Sequence, residues 1–308
     1  MPSHAVRPRL PVVAAVPLLA SCLAGPLALA QAPATEIFLA PLTLRPDAIS
    51  VGAAVNVTNN PGYDNQPAFL PDSSGFLFSS SRDGQQTDIY RVDVASRTVT
   101  QVTRTPDNEY SPTIMPGGTT FSTVRGAEQR LWAFALDGTD AGLAYAHDGL
   151  IGYHAWLSPS SLGIFVLGSG TTPVTLQVVD LDTRQAMRVE THIGRSLLVR
   201  PRSGALTFVH RAPGAPPTIR EMDPSTRQVS ILGEMLPGSQ DLAWAPDGRL
   251  VAGQRAKLFA WQPGTTDWTE VADLGASGLA AISRLAISPD GRWIAIVAEP
   301  ARAGQAGS

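Results

Sequence analysis

Apolar and polar residues alternate along this chain in short runs, and the same turn signal interrupts them six times. The interruptions are Ala68-Phe69-Leu70-Pro71-Asp72, Thr113-Ile114-Met115-Pro116-Gly117, Trp156-Leu157-Ser158-Pro159-Ser160, Leu198-Val199-Arg200-Pro201-Arg202, Trp244-Ala245-Pro246-Asp247-Gly248 and Ile287-Ser288-Pro289-Asp290-Gly291. Their prolines are spaced by 45, 43, 42, 45 and 43 residues. A repeat of about 40–50 residues is the length of one four-stranded propeller blade. Proline presets the φ angle that opens such a turn, and glycine or asparagine tolerates the positive φ that closes it.

Within each unit a short apolar strand enters the turn and a second leaves it, as in Phe76-Leu77-Phe78, Ile164-Phe165-Val166 and Trp293-Ile294-Ala295-Ile296. A third alternates, as in Asp88-Ile89-Tyr90-Arg91-Val92-Asp93-Val94 and Leu258-Phe259-Ala260-Trp261. A fourth is more polar, as in Thr98-Val99-Thr100-Gln101-Val102-Thr103. Period-two alternation with β-branched residues predicts strands, and a polar fourth strand suits an outer edge that must not pair with other chains. The last unit stops after its second strand, near Pro300. At the other end, Asn56-Val57-Thr58-Asn59-Asn60-Pro61 matches Gln101-Val102-Thr103-Arg104-Thr105-Pro106 at an offset of 45. Residues 36–39 and 49–59 are therefore expected to supply the missing third and fourth strands. The predicted fold is all-β, a six-bladed β-propeller over residues 31–300. Residues 36–59 complete the last blade in a 2+2 closure that hides both open edges.

The repeats resemble the Pro-Asp repeats of TolB-type periplasmic propellers. The resemblance rests on Trp244-Ala245-Pro246-Asp247-Gly248-Arg249, Ile287-Ser288-Pro289-Asp290-Gly291-Arg292-Trp293, Ser79-Ser80-Ser81-Arg82-Asp83-Gly84 before Asp88-Ile89-Tyr90, and Tyr110-Ser111-Pro112, and it covers about residues 36–300. It implies the propeller fold and an envelope setting. TolB also carries a separate N-terminal α/β domain that engages the Tol-Pal system. This chain is expected to lack that domain, because few residues precede its first blade.

Composition agrees with many tight turns. Of 308 residues, 28 are glycine and 26 proline, and only 16% are charged. A formal charge of -3 supplies no basic footprint for nucleic acid. Arg7 and Arg9, the apolar run from Leu10 to Ala30 and the small-x-small end Ala28-Leu29-Ala30 read as a signal peptide over residues 1–30. Pro11, Pro17 and Pro26 interrupt the run and argue against a membrane span. Cys22, the single cysteine, lies in Leu19-Ala20-Ser21-Cys22, which resembles a lipoprotein box and leaves a lipid anchor as an alternative to soluble export. The expected location is periplasmic or secreted. The mature chain is expected to be a monomer without a membrane span, and residues 301–308 a disordered tail.

The chain carries no HExxH, no Gly-rich phosphate loop, no GxSxG elbow and no paired-cysteine site, so neither a cofactor nor a catalytic residue is expected. Five residues before each turn proline stand Gln66, Ser111, His154, Ser196, Asp241 and Arg284, all polar. The first strand of a blade lines the central channel, so this register predicts a polar ring at one mouth. Tyr110 and Tyr153 stand one residue earlier in neighbouring blades and complete the candidate site. The ring reads either as a ligand site or as a wet channel with a structural Asp241–Arg284 pair. His154 adds a group that titrates near neutrality in its free form; His192 could approach it across adjacent blades, but two histidines without a nearby carboxylate are a weak metal signal. Trp156, Trp244, Trp261, Trp268 and Trp293 read as packing between blades. The resulting functional expectation is an exported, non-enzymatic binding module of the bacterial cell envelope that recognises a protein or peptide. The alternatives are a metal-assisted lyase or hydrolase acting on a carbohydrate or small metabolite at the channel mouth, and a purely structural interaction module.

Overall fold

The computed structural model describes residues 34–82, 84–239 and 241–301, together with Met1. The leader, Cys22 and residues 302–308 lie outside the described residues. The described chain is a six-bladed β-propeller of six antiparallel sheets. Their innermost strands are Tyr63–Phe69, Glu109–Ile114, Ile151–Ser158, Ile193–Val199, Leu242–Trp244 and Leu279–Ile287, defining blades 1 to 6 in that order. Among the described residues no helix is long and apolar enough to cross a membrane.

Burial follows the layering of each blade. Second strands are enclosed by both neighbouring blades, so Gly75–Ser81 and Leu206–His210 are buried in all but their last residue. Outermost strands such as Gln185–Thr191 and Asp140–Tyr145 are largely exposed. The core is divided among the blade interfaces. Six apolar clusters form, and each joins residues of two adjacent blades.

Closure is made by Glu36–Arg45, which pairs antiparallel with Trp293–Pro300 from Glu36 opposite Ala298 to Pro41 opposite Trp293. Alternation along this strand serves two interfaces at once. Phe38, Ala40 and Leu42 pack in the cluster shared with blade 5, whereas Ile37 and Leu39 pack in the cluster shared with blade 1. Two boundaries differ from the sequence expectation. The third strand continues to Arg45, because Leu42 still alternates inward and the turn comes at residues 46–47. The fourth is split into Ala48–Val51 and Val55–Asn56 and ends before residue 57. Asn56 stops it: its Oδ1 accepts from the backbone N–H of Thr58 (3.1 Å) and Asn59 (2.9 Å), and Asn59 takes φ 42°. A side chain that captures backbone donors in this way competes with the ladder.

Candidate functional site

Each innermost strand starts near the channel ring and ends at its proline turn. In five of the six blades its pairing with the second strand shifts register near the start, for example between Asn65 and Ala68 and between Tyr110 and Thr113. Such bulges re-aim side chains and interrupt strict alternation. Gln66 (φ 60°) and Ser111 (φ 55°) adopt the left-handed region at these points. That conformation costs a non-glycine residue on the order of 1 kcal/mol.

The bulged register surrounds a cavity of 580 Å³, within the ~300–1,000 Å³ range of ligand pockets. Gln66, Ser111, His154, Ser196, Asp241, Arg284 and Tyr153 all line it. Tyr110 does not. It stands edge-on to Tyr63, with ring centres 6.3 Å apart, and its hydroxyl lies 3.4 Å from Thr87 Oγ1. Beyond the ring the walls are mainly apolar, formed by Phe69, Ile114, Trp156, Leu198 and Leu285 among others.

The ring residues are linked from blade to blade. Gln66 Oε1 accepts from the backbone N–H of Ser111 at 2.7 Å, and Ser111 Oγ donates to Gly152 O at 3.3 Å. Ser196 Oγ donates to Asp241 Oδ1. Asp241 Oδ2 faces Arg284 Nε at 3.7 Å, and the same Nε donates to Asn65 Oδ1 at 3.0 Å. Polar contacts thus join blades 1, 2 and 3 and, separately, blades 4, 5, 6 and 1. Between blades 3 and 4 no side-chain hydrogen bond joins His154 to Ser196 among the described residues. His154 turns instead to blade 2, where its Nε2 lies 2.6 Å from Ser122 Oγ.

Ser122 holds both aromatic neighbours: Trp156 Nε1 can only donate, and it donates to Ser122 Oγ at 2.9 Å, while His154 Nε2 shares a hydrogen bond with the same oxygen. The other ring nitrogen of His154, Nδ1, is buried without a partner. Burial pushes the His154 pKa down to about 3, so the ring is neutral at physiological pH. The expected near-neutral titration of His154 is therefore corrected. No hydrogen bond or ion pair joins His192 to His154 among the described residues. His192 Nδ1 lies 3.0 Å from Thr191 Oγ1, and His192 influences the titration of His210, not of His154. Among the described residues no three His, Cys, Asp or Glu side chains are grouped to hold a metal.

Arg195, which the ring register does not include, lines the same cavity one position before Ser196. From blade 4 it reaches past blade 5 to donate through Nη2 to Ser283 O of blade 6. Its Nε is buried without a partner. Burial, reinforced by the Arg284 charge, pulls its pKa below the ordinary guanidinium value against the attraction of Asp241. Arg284 crosses from blade 6 to the opposite side, where its guanidinium stands 5.0 Å from the centre of the Tyr153 ring of blade 3. Burial opposes its charge, but Asp241 and then Tyr153 and Tyr63 outweigh that and raise its pKa. Two guanidiniums thus face one carboxylate, and the cavity carries one uncompensated positive charge. Trp244 Nε1 donates to Thr207 Oγ1 of the neighbouring blade at 3.1 Å and Trp268 Nε1 to Glu234 O of that blade at 3.2 Å, whereas Trp156 also lines the cavity and Trp261 stacks on Trp268 within its own blade.

No protein-family model and no curated protein matches this chain. Solved structures match in fold. A protein of Agrobacterium tumefaciens assigned to TolB shares 16% identity at a TM-score of 0.64, over 86% of this chain and 99% of that one. TolB from Acinetobacter baumannii shares 15% at 0.52, over 87% of this chain and 65% of that one. An oligogalacturonate lyase in complex with manganese shares 18% at 0.53, over 80% of each chain. At these identities the likeness is one of fold: the chain has the propeller architecture of the TolB structures.

Proposed function

We propose that the chain is an exported binding module of the bacterial cell envelope that recognises a protein or peptide through the channel cavity. The observation that carries this reading is the cavity itself. Residues from every blade converge there, apolar walls lead to a polar ring, and the buried nitrogens His154 Nδ1 and Arg195 Nε have no protein partner. Convergence of a few polar groups in an apolar hollow is the ordinary form of a binding site. The leader features at residues 1–30 and the propeller fold shared with TolB structures support the envelope setting. A metal-assisted lyase has less support, since among the described residues no three His, Cys, Asp or Glu side chains are grouped to hold a metal.

The test is crosslinking in living cells. A photoreactive residue replacing Tyr153 is expected to yield a discrete adduct with an envelope protein, and one replacing the exposed Met187 on an outer strand is not. Adducts from Met187 but none from Tyr153 would move the partner surface to the blade edges. Export itself is checked by fusing residues 1–35 to a reporter active only outside the cytoplasm. Fatty-acid labelling that is lost on Cys22→Ser would assign a lipid anchor.

A further inference from the structure

The polar ring is closed by hydrogen bonds and the Asp241–Arg284 ion pair except between blades 3 and 4, and unpartnered nitrogens lie on the two sides of that gap. On the blade 3 side His154 lines the cavity with Nδ1 unpaired; on the blade 4 side Arg195 lines it with Nε unpaired. Arg284 spans the channel to Tyr153, also on blade 3, and so brings a second guanidinium to the same region. Buried polar nitrogens are nearly always satisfied in folded proteins, so a gap in the ring flanked by two unpaired ones marks a place for a ligand's polar atoms. The lining favours an anionic acceptor there, because it holds two guanidiniums against the single carboxylate of Asp241. Asp241 is itself engaged by Ser196 and Arg284.

We propose that the gap between blades 3 and 4 captures the free C-terminal carboxylate of a peptide, held by Arg195 and Arg284 with the peptide's last side chains along the apolar cavity wall. Two oxygens with four lone-pair sites match the planar donor forks of arginine. The walls choose between sources of a carboxylate. Phe69, Ile114, Trp156, Leu198 and Leu285 offer apolar surface beside the polar ring. That surface suits aliphatic or aromatic side chains at the end of a peptide.

This assignment rests on the peptide-binding reading and sharpens it, and its test separates the two. The exported chain is screened against a pool of pentapeptides with free C-termini and randomised last three positions, and the best binder is remade as its C-terminal amide. The expected result is enrichment of apolar C-terminal residues and affinity at least about tenfold weaker for the amide. Arg195→Gln is expected to lose a similar factor at an unchanged melting temperature, and Arg195→Lys to recover part of it. Amide and acid binding equally, with both lost on Tyr153→Ala, would overturn carboxylate capture and leave peptide recognition standing. No peptide enriched, but trigalacturonic acid bound in an Arg195-dependent way, would overturn both. If Arg284→Ala unfolds the chain, the Arg195 series alone decides.

Discussion

At the scale of single residues, two buried titratable groups oppose each other in pH. Glu109 is fully buried, accepts from Thr105 Oγ1 at 3.0 Å through Oε1, and has no partner for Oε2. Burial outweighs its hydrogen bonds and holds its pKa up at about 7, above the ordinary 4.5. A carboxyl raised in the fold gives stability that is complete below pH 4.5 and is lost as pH climbs toward 7, on the order of 3 kcal/mol in all. Asp64, also fully buried, is shifted in the same direction by burial. His154 acts oppositely. Its depressed pKa gives stability that is present above pH 6.5 and is lost as pH falls toward 3. Between about pH 4.5 and 6.5 the His154 trend opposes that of Glu109, so the pH dependence of melting temperature should be shallower there than either group alone would give. Glu109→Gln is expected to tilt the profile upward with pH across this window, and His154→Gln to tilt it downward; parallel profiles in thermal melts of the two variants would refute the assignment. The ring positions were legible because six prolines fix the register, but strict alternation sends the preceding register to the opposite face. The bulges bring it back, which is how Tyr153 and Arg195 join the cavity. The signal for Arg195 was present: it stands six residues before its proline, as Tyr110 and Tyr153 do before theirs.

At the scale of elements, the strands were readable from period-two alternation, and their ends were not. Asn56 ends the closing strand through hydrogen bonds that no periodicity encodes, and Pro46-Asp47 makes a turn inside what alternation alone would continue. Packing between blades also depends on residues with no side chain to count. Gly253 lies in the second strand of blade 5, where a Cβ would fall 2.3 Å from Cγ2 and 2.8 Å from Cβ of Ile282 in blade 6. Ile282 is branched at Cβ and buried, so it cannot rotate away cheaply. Gly253→Ala should therefore destabilise by about 1–3 kcal/mol despite its size. The companion Gly253→Ala/Ile282→Val, with Cβ branching kept, should recover less than Gly253→Ala/Ile282→Ala. Denaturant midpoints of the four chains check this, and equal recovery would mean that the two strands separate freely.

At the scale of the whole molecule, the ring is held shut by a blade whose strands come from both ends of the chain. Glu36 lies opposite Ala298 in the closing pair, so the first and last residues of the propeller are neighbours. Glu36 also ties the entry down, since its carboxylate accepts from Thr58 Oγ1 at 2.9 Å and from the backbone N–H of Asn60. This geometry allows the latch to be removed without removing any strand. A short flexible linker joining residue 301 to residue 34, with new termini opened at the turn of Asp148 and Gly149 between blades 2 and 3, makes all six blades continuous. Every interface cluster keeps its residues, and only the covalent interleaving of the ends is moved. In the natural chain, separating blade 6 from blade 1 requires unzipping the antiparallel pair between Glu36–Arg45 and Trp293–Pro300. In the permuted chain, blades 2 and 3 meet through side-chain packing and scattered hydrogen bonds, from Ser111 to Gly152, from Ser122 to His154 and Trp156, and from Ile151 to Gln129, with no strand pair between them. The permuted chain is expected to fold with the same circular dichroism and to unfold faster, because its weakest interface can open without breaking a strand pair. Deleting residues 34–60 instead leaves Trp293–Pro300 with an open edge and should aggregate. An unfolding rate for the permutant equal to that of the natural chain would show that interface packing alone holds the ring, and that the split blade contributes nothing to its kinetic stability.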